Sequence, residues 1–290
     1  MLKLLSLFSS RYRRPWLYGF LSLVLSLGLG LMPVKPSYAG VSVIELLLRG
    51  AQFVPQIIQF STINDKQEVA LGTEINRQLS ESGKVKISRN SSINSYINEI
   101  GQQLVKNSQR PNIPYTFQVV EDKNINAFAT MGGFVYVNSG LITTAENEAE
   151  LASVIGHEIG HIVGRHAIEH MRQQAISQGV LSAAGLGRNQ AIQIGVELAL
   201  SRPNSRKDEL EADQFGLDNI IKVGYAPAGM VSFMNKLLQN SGGSPPSFLS
   251  THPATSERIQ ALQRSIPRGT ADRGRGLDDR SYQSRIRSLS

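Results

Sequence analysis

Cysteine is absent from this 290-residue chain. That one absence excludes disulfides, thiolate metal sites, a cysteine nucleophile and lipidation at a cysteine, so any bound metal must be held by His, Asp or Glu. Histidine is scarce as well, with five in all. Also missing are a basic stripe interleaved with aromatics, zinc-finger spacings and RNA-binding signatures. The net charge of +7 comes from Lys and Arg scattered along the chain, apart from clusters at its two ends. Nucleic acid is therefore not an expected partner. No internal repeat is present and no linker splits the middle of the chain. What is present is an ordinary hydrophobic content of 41%, enough to bury a sizeable core.

The first residues carry a basic segment (Lys3, Arg11, Arg13, Arg14), an apolar run from Trp16 to Met32 and a closing Ser37-Tyr38-Ala39. This is the three-part plan of a secretory signal peptide cleaved after Ala39. The apolar run of about 17 residues is at the short limit for a bilayer span. The expected organisation is a signal peptide over 1–39, one domain over 40–266, and a Gly-, Ser- and Arg-rich tail over 267–290 with too little apolar content to pack, hence disordered. The destination is the periplasm or another space outside the cytoplasm.

Within the domain the hydrophobic period changes along the chain. A helix is expected from Asp65, as N-cap with Glu68 three residues on, and a second over 91–108, where Ile93, Ile97, Ile100 and Leu104 form one stripe. Three short aromatic and β-branched runs follow, YTFQVVED, INAFAT and GFVYVNS, with Met131-Gly132-Gly133 as a hairpin turn. Helices return from Ala145 to about Gln174, and again over 205–223, 227–240 and 253–265. The fold class is therefore α+β: mostly helical, with a small antiparallel sheet.

Four of the five histidines fall in HEIGHIVGRHAIEH, residues 157–170. His157 and His161 are four apart, about 40° on a helical wheel, so both imidazoles reach one ion, with Glu158 on the flank. That spacing suits a zinc held by two neutral nitrogens beside a general base that deprotonates its water. On a straight helix His166 and His170 fall on the opposite face and serve packing or hydrogen bonding. A third ligand is needed, and SRKDELEADQFGLD supplies candidates. Glu209 and Asp213 share one helical face whereas Glu211 and Asp218 face solvent. Glu209 is the expected ligand, and Asp213 the acceptor that orients a ligand imidazole.

HEIGH followed by Glu209-x-x-Ala212-Asp213 resembles the zinc metallopeptidases of the CAAX prenyl endopeptidase superfamily, the HtpX/BepA-like gluzincins. QEVALGTEI, NAFATMGGFVYVNSGLI and THPATSERIQAL match that family in order, from about Gln67 to Ile266. The resemblance implies a zincin-like domain with the sheet next to the motif helix and one zinc ion per chain. It also implies Glu209 as third ligand and cleavage of peptide bonds in misfolded or membrane-associated proteins outside the cytoplasm. Without several long apolar spans, the chain is similar to the soluble exported branch. The resemblance further implies a substrate edge strand in Gly133, Phe134, Val135 and Tyr136, and assistance from Asn126 at the cleft. The same resemblance implies that His252, in THPATSER, lies near the zinc, either occupying its open position in a resting form or stabilising the oxyanion. Expected partners are a polypeptide substrate and, as candidates, a membrane surface or the outer-membrane assembly machinery. The alternative reading is a latent protease acting mainly as a chaperone-like binding protein.

Overall fold

The computed structural model describes Ile57–Ile58, Phe60 and residues 62–179, 185–201, 204–239, 246–253 and 256–289. The expected signal peptide lies outside the described residues, which fall in one compact unit, Pro55–Ser290. Its elements in chain order are β1 (Ile57–Ile58), α1 (Asp65–Glu81), α2 (Ser91–Val105), β2 (Thr116–Val120), β3 (Ala127–Thr130), β4 (Phe134–Asn138), α3 (Ser139–Thr144), α4 (Glu148–Val163), α5 (His166–Ser177), β5 (Leu186–Gly187), α6 (Arg188–Ser201), α7 (Arg206–Val223), α8 (Ala228–Gln239), α9 (Ser247–Thr251), α10 (Ser256–Ser265) and α11 (Asp279–Ile286). Among the described residues no helix is long and apolar enough to cross a membrane.

The described residues are mostly helical with a small three-stranded sheet, as the periodicity predicts, beside a two-stranded pairing of β1 with β5, but the three-stranded sheet is mixed. Its order is β2-β4-β3, with β3 antiparallel to β4 and β2 parallel to it. The hairpin through Met131–Gly133 forms as a 3₁₀ turn with Gly132 at φ 77°, a conformation that favours glycine. What strand periodicity could not show is that GFVYVNS, expected at the edge, is the central strand. All five residues of β4 are buried. Side chains alternate between its faces, so Val135 and Val137 join a core with α2, α4, α7 and α8. Phe134 and Tyr136 join a second core with α1, α5 and α6.

Local chemistry sets most helix starts. The α1 cap is one residue earlier than expected: Asn64 accepts from the Gln67 N–H at 3.0 Å while its own N–H donates to the Gln67 side chain at 3.0 Å. Glu68, freed from capping, turns inward to Arg110 (2.9 Å) and Arg165 (3.0 Å). On α2 the stripe Ile93, Ile97, Ile100 and Leu104 is 0–2% exposed, and burial of such side chains stabilises by roughly 1.5–3 kcal/mol each. The expected continuous helix from Ala145 to Gln174 breaks at Gly164-Arg165. Arg165 has φ 56°, the only non-glycine positive φ among the described residues. Its Nη2 donates to the Ile63 carbonyl at 2.7 Å, which helps hold the turn.

The tail expected to be disordered is folded onto the domain. Asp278 caps α11, whose Tyr282 and Ile286 are each 1% exposed. The Tyr282 hydroxyl donates to the Ile142 carbonyl at 2.6 Å. Gly276 accepts the Ala149 N–H at 2.9 Å, in the first turn of α4, and the Arg275 guanidinium lies 4.2 Å above the Tyr225 ring. Average composition hides this, because two well-placed apolar side chains and a run of backbone hydrogen bonds suffice to dock a short segment. Tyr282→Ala is expected to lower unfolding free energy by about 3 kcal/mol, by analogy with other large-to-small core substitutions. A urea midpoint equal to that of wild type would show that the tail contributes nothing.

Candidate metal centre

The motif helix α4 is buried along nearly its whole length, and His157, Glu158 and His161 lie in its last two turns. α7 packs against it where neither helix carries bulk. A Cβ placed on Gly160 would lie 2.5 Å from the Ala212 carbonyl oxygen, and one on Gly216 would lie 2.9 Å from the His157 nitrogen. Only at this spacing does Glu209, in the first turn of α7, reach the histidines of α4.

Donor atoms of four side chains converge there. His157 Nε2 and His161 Nε2 are 3.0 Å apart. Glu209 Oε1 lies 3.2 Å from His161 Nε2, and Glu209 Oε2 lies 3.6 Å from His157 Nε2. His252 Nδ1, from the end of α9, is 3.3 Å from His157 Nε2 and 3.0 Å from Glu209 Oε1. Ligand atoms held about 2.0–2.2 Å from a tetrahedral ion stand about 3.3–3.6 Å from one another. The cluster therefore has the size of a single tetrahedral cation, and all four residues are buried. Lone pairs brought this close repel one another unless a cation or proton lies between them, so the donor set itself suits a metal.

Further groups stand behind these donors. His157 Nδ1 is 2.9 Å from Asp213 Oδ1. Arg258 Nε and Nη2 donate to Asp213 at 2.7 Å each, and Arg258 Nη1 contacts Glu209 Oε2. Burial works against the Asp213 carboxylate, but the hydrogen bonds from Arg258 and His157 hold its pKa below the usual range. Burial opposes ionisation of Glu209 too, yet His252, His157 and His161 keep its pKa well below normal. Burial pushes the His161 imidazole down to about 3, leaving it neutral and free to bind a metal.

Glu158 differs from the other acids. It is 0% exposed, and neither oxygen has a hydrogen-bond partner. His252 Nε2 lies 3.5 Å from its Oε1. Burial, the largest effect, raises its pKa. A carboxylate so placed costs several kcal/mol unless something fills the space in front of it. That space is a cleft lined by Glu158, His161, His252, Asn204 and the strand residues Ala129 and Thr130.

The structure thus brings His157, Glu158, His161, Glu209, Asp213 and His252 together. It does not bring Gly133, Phe134, Val135 or Tyr136 to the cleft: β4 spends its backbone on β2 and β3, and the edge beside the cleft is β3. Asn126 lies just ahead of β3, outside the cleft lining, with a buried Oδ1 that lacks a partner. Sequence reasoning missed Asn204 and misplaced His166. Asn204 Nδ2 is 3.2 Å from His252 Nδ1, and no motif marks it. His166, expected to point away, has its Nδ1 2.8 Å from His161 Nδ1; Gly164 was the available sign that the helix ends first.

Residues 91–266 match the model of peptidase family M48. The chain belongs to that family. The beta-barrel assembly-enhancing protease of Escherichia coli K12 is 30% identical over 221 residues, covering 69% of this chain and 44% of that protein. Metalloprotease YcaL of the same organism is 30% identical over 217 residues, covering 72% of this chain and 84% of YcaL. The mitochondrial metalloendopeptidase OMA1 of Arabidopsis thaliana is 35% identical over 153 residues, covering 52% of this chain and 31% of OMA1. The chain spans less than half the length of the beta-barrel assembly-enhancing proteases that it matches.

Arg258→Met leaves two buried carboxylates without their cation and is expected to cost the metal-free protein about 3–5 kcal/mol. Because the folded pKa of Asp213 is depressed, its contribution to stability is full above the unfolded value of about 3.9 and is lost as pH falls through the folded pKa. Without Arg258 the folded pKa of Asp213 rises toward or above the unfolded value, so the variant has less stability to lose in acid, and the wild type is expected to show the steeper decline below about pH 4. Urea titrations of both proteins from about pH 7 to about pH 2.5 check this, and parallel pH profiles would contradict it.

Proposed function

We propose that this protein is a zinc metalloendopeptidase that cleaves extended polypeptide segments. The single observation that carries the reading is the buried, unpartnered Glu158 carboxylate beside a converging set of two imidazoles and a carboxylate. A zinc ion held by His157, His161 and Glu209 would supply Lewis acidity, polarising the scissile carbonyl and acidifying the attacking water. Glu158 takes a proton from that water as its oxygen bonds to the carbonyl carbon, then delivers the proton to the departing amine. The products are a new carboxyl end and a new amino end. A raised pKa suits Glu158 to both steps, since the group accepts the proton readily and holds it until the amine leaves.

The substrate strand is assigned to the edge of β3 rather than to β4. The Asn138 N–H donates to the Asn126 carbonyl, and antiparallel alternation then turns the backbone groups of Asn126, Phe128 and Thr130 toward β4. Those of Ala127 and Ala129 are left facing outward. Ala129 lines the cleft, so its N–H and C=O can pair with a substrate laid past Glu158.

A second reading, a latent form, is favoured by His252. Its Nδ1 stands at the fourth corner of the donor set, where the attacking water must enter. In this state the protein would bind a chain without cutting it, as a chaperone-like protein does. The N-terminal sequence supports export, and the names of the beta-barrel assembly-enhancing relatives support a role in envelope protein quality control near the outer-membrane assembly machinery.

Purified Glu158→Gln is expected to retain zinc at one ion per chain while losing roughly 10²- to 10⁴-fold in cleavage of an unfolded protein such as reduced casein. Wild-type rates from the variant would end the assignment. His252→Ala is expected to cleave faster than wild type. A slower variant with its zinc intact would show that His252 serves the reaction and not the latent state.

A further inference from the structure

The two imidazoles on the motif helix are supported differently. Behind His157 stands the Asp213 carboxylate, itself neutralised by Arg258. Behind His161 stands neither a carboxylate nor a backbone carbonyl but another imidazole, His166, with the two Nδ1 atoms 2.8 Å apart and both residues buried. One of these nitrogens must carry a hydrogen and the other a lone pair. If His161 presents Nε2 to a metal, its hydrogen is on Nδ1, so His166 Nδ1 must be the acceptor. The hydrogen of His166 is then on Nε2, which lies 3.4 Å from Glu211 Oε2 and 3.9 Å from Asp208 Oδ1. Asp208 already serves the α7 cap at Ser205 and lies 2.8 Å from His170 Nε2. Glu211 is therefore the partner left for His166. Each tautomer in the chain follows from the one before it.

The backbone makes room for this arrangement. α4 ends at Gly164, the left-handed Arg165 reverses the chain, and His166 folds back beneath His161 instead of continuing around the wheel. A Cβ on Gly164 would overlap the His166 ring at Nε2 and Cε1. The glycine thus vacates the volume that the ring occupies, which is a second observation independent of the hydrogen bond.

We propose that His166 is a positioning residue of the metal centre: it accepts the Nδ1–H of His161, fixing that ligand's tautomer and ring plane, and donates its own Nε2–H to Glu211. The inference rests on the zinc site proposed above. Removal of such a partner behind a ligand typically weakens metal affinity 10- to 100-fold.

The test compares zinc release to a chromogenic chelator from full-length wild type, His166→Asn, His166→Gln and His166→Phe. Urea midpoints of the metal-free forms are measured alongside. Asparagine places an amide oxygen where Nδ1 stands, glutamine places its amide where Nε2 stands, and phenylalanine fills the ring volume with no acceptor. The Gln and Phe variants are expected to release zinc roughly 10- to 100-fold faster, with Asn within about threefold of wild type and rescuing the centre. Release as slow as wild type from the Phe variant, or as fast from Asn as from Phe, would overturn the proposal. So would losses of zinc that merely track losses of metal-free stability, since these indicate packing alone. If wild type itself holds no zinc, the metal-site reading fails with it, an outcome distinct from any difference among the variants.

Discussion

Everything at the centre depends on how closely two helix backbones approach. His157 and His161 are on α4 and Glu209 is on α7. Gly156 and Gly160 on one helix meet Ala212 and Gly216 on the other. A single added methyl group at Gly160 would meet the backbone of α7, and the displacement would fall on Glu209 one turn away. A methylene costs little in a loop, but protein interiors are packed as densely as organic crystals and pass such shifts on. Small residues at this crossing are thus as much a condition of the centre as the ligands.

The second condition is electrostatic. Glu158, Glu209 and Asp213 are three buried carboxyl groups around the same pair of imidazoles, His157 and His252, which would be prohibitive without compensation. Arg258 compensates for two of them at once, touching Glu209 and hydrogen-bonding Asp213. The third is left alone, and that asymmetry separates the roles. On the reading proposed above, the carboxylates held at low pKa would stay ionised as ligand and orienter, while the one raised by burial would carry a proton in transit. Similar acids acquire different tasks from their surroundings.

How much of this could be read in the sequence depends on whether the deciding interaction is local. Wheel positions within one helix are local, so the shared face of His157 and His161, and that of Glu209 and Asp213, followed from spacing. Strand existence is local as well, but strand order is not. A period of two is the same at the edge and in the middle, and the parallel pairing of β2 with β4 is set by where residues 121–126 carry the chain. The wheel failed for His166 because it assumes a straight axis beyond Gly164. For the tail, composition averaged over two dozen residues concealed Tyr282 and Ile286, whose placement matters more than their number.

His252 and Arg258 lie six residues apart, and Arg258 Nη1 donates to the Pro253 carbonyl at 3.0 Å while its other nitrogens grip Asp213. An imidazole displaced from the fourth corner would therefore remain tethered close by, at an effective concentration on the order of millimolar or above. A dilute chain offering one weak contact cannot compete with an occupant that is always present. On the proposed reading, a segment that also paired its backbone with β3 would bring several contacts at once, and only such a substrate would hold the corner long enough to be cut. The tether would thus act as a threshold, set by the number of simultaneous contacts and not by the residue at the scissile bond.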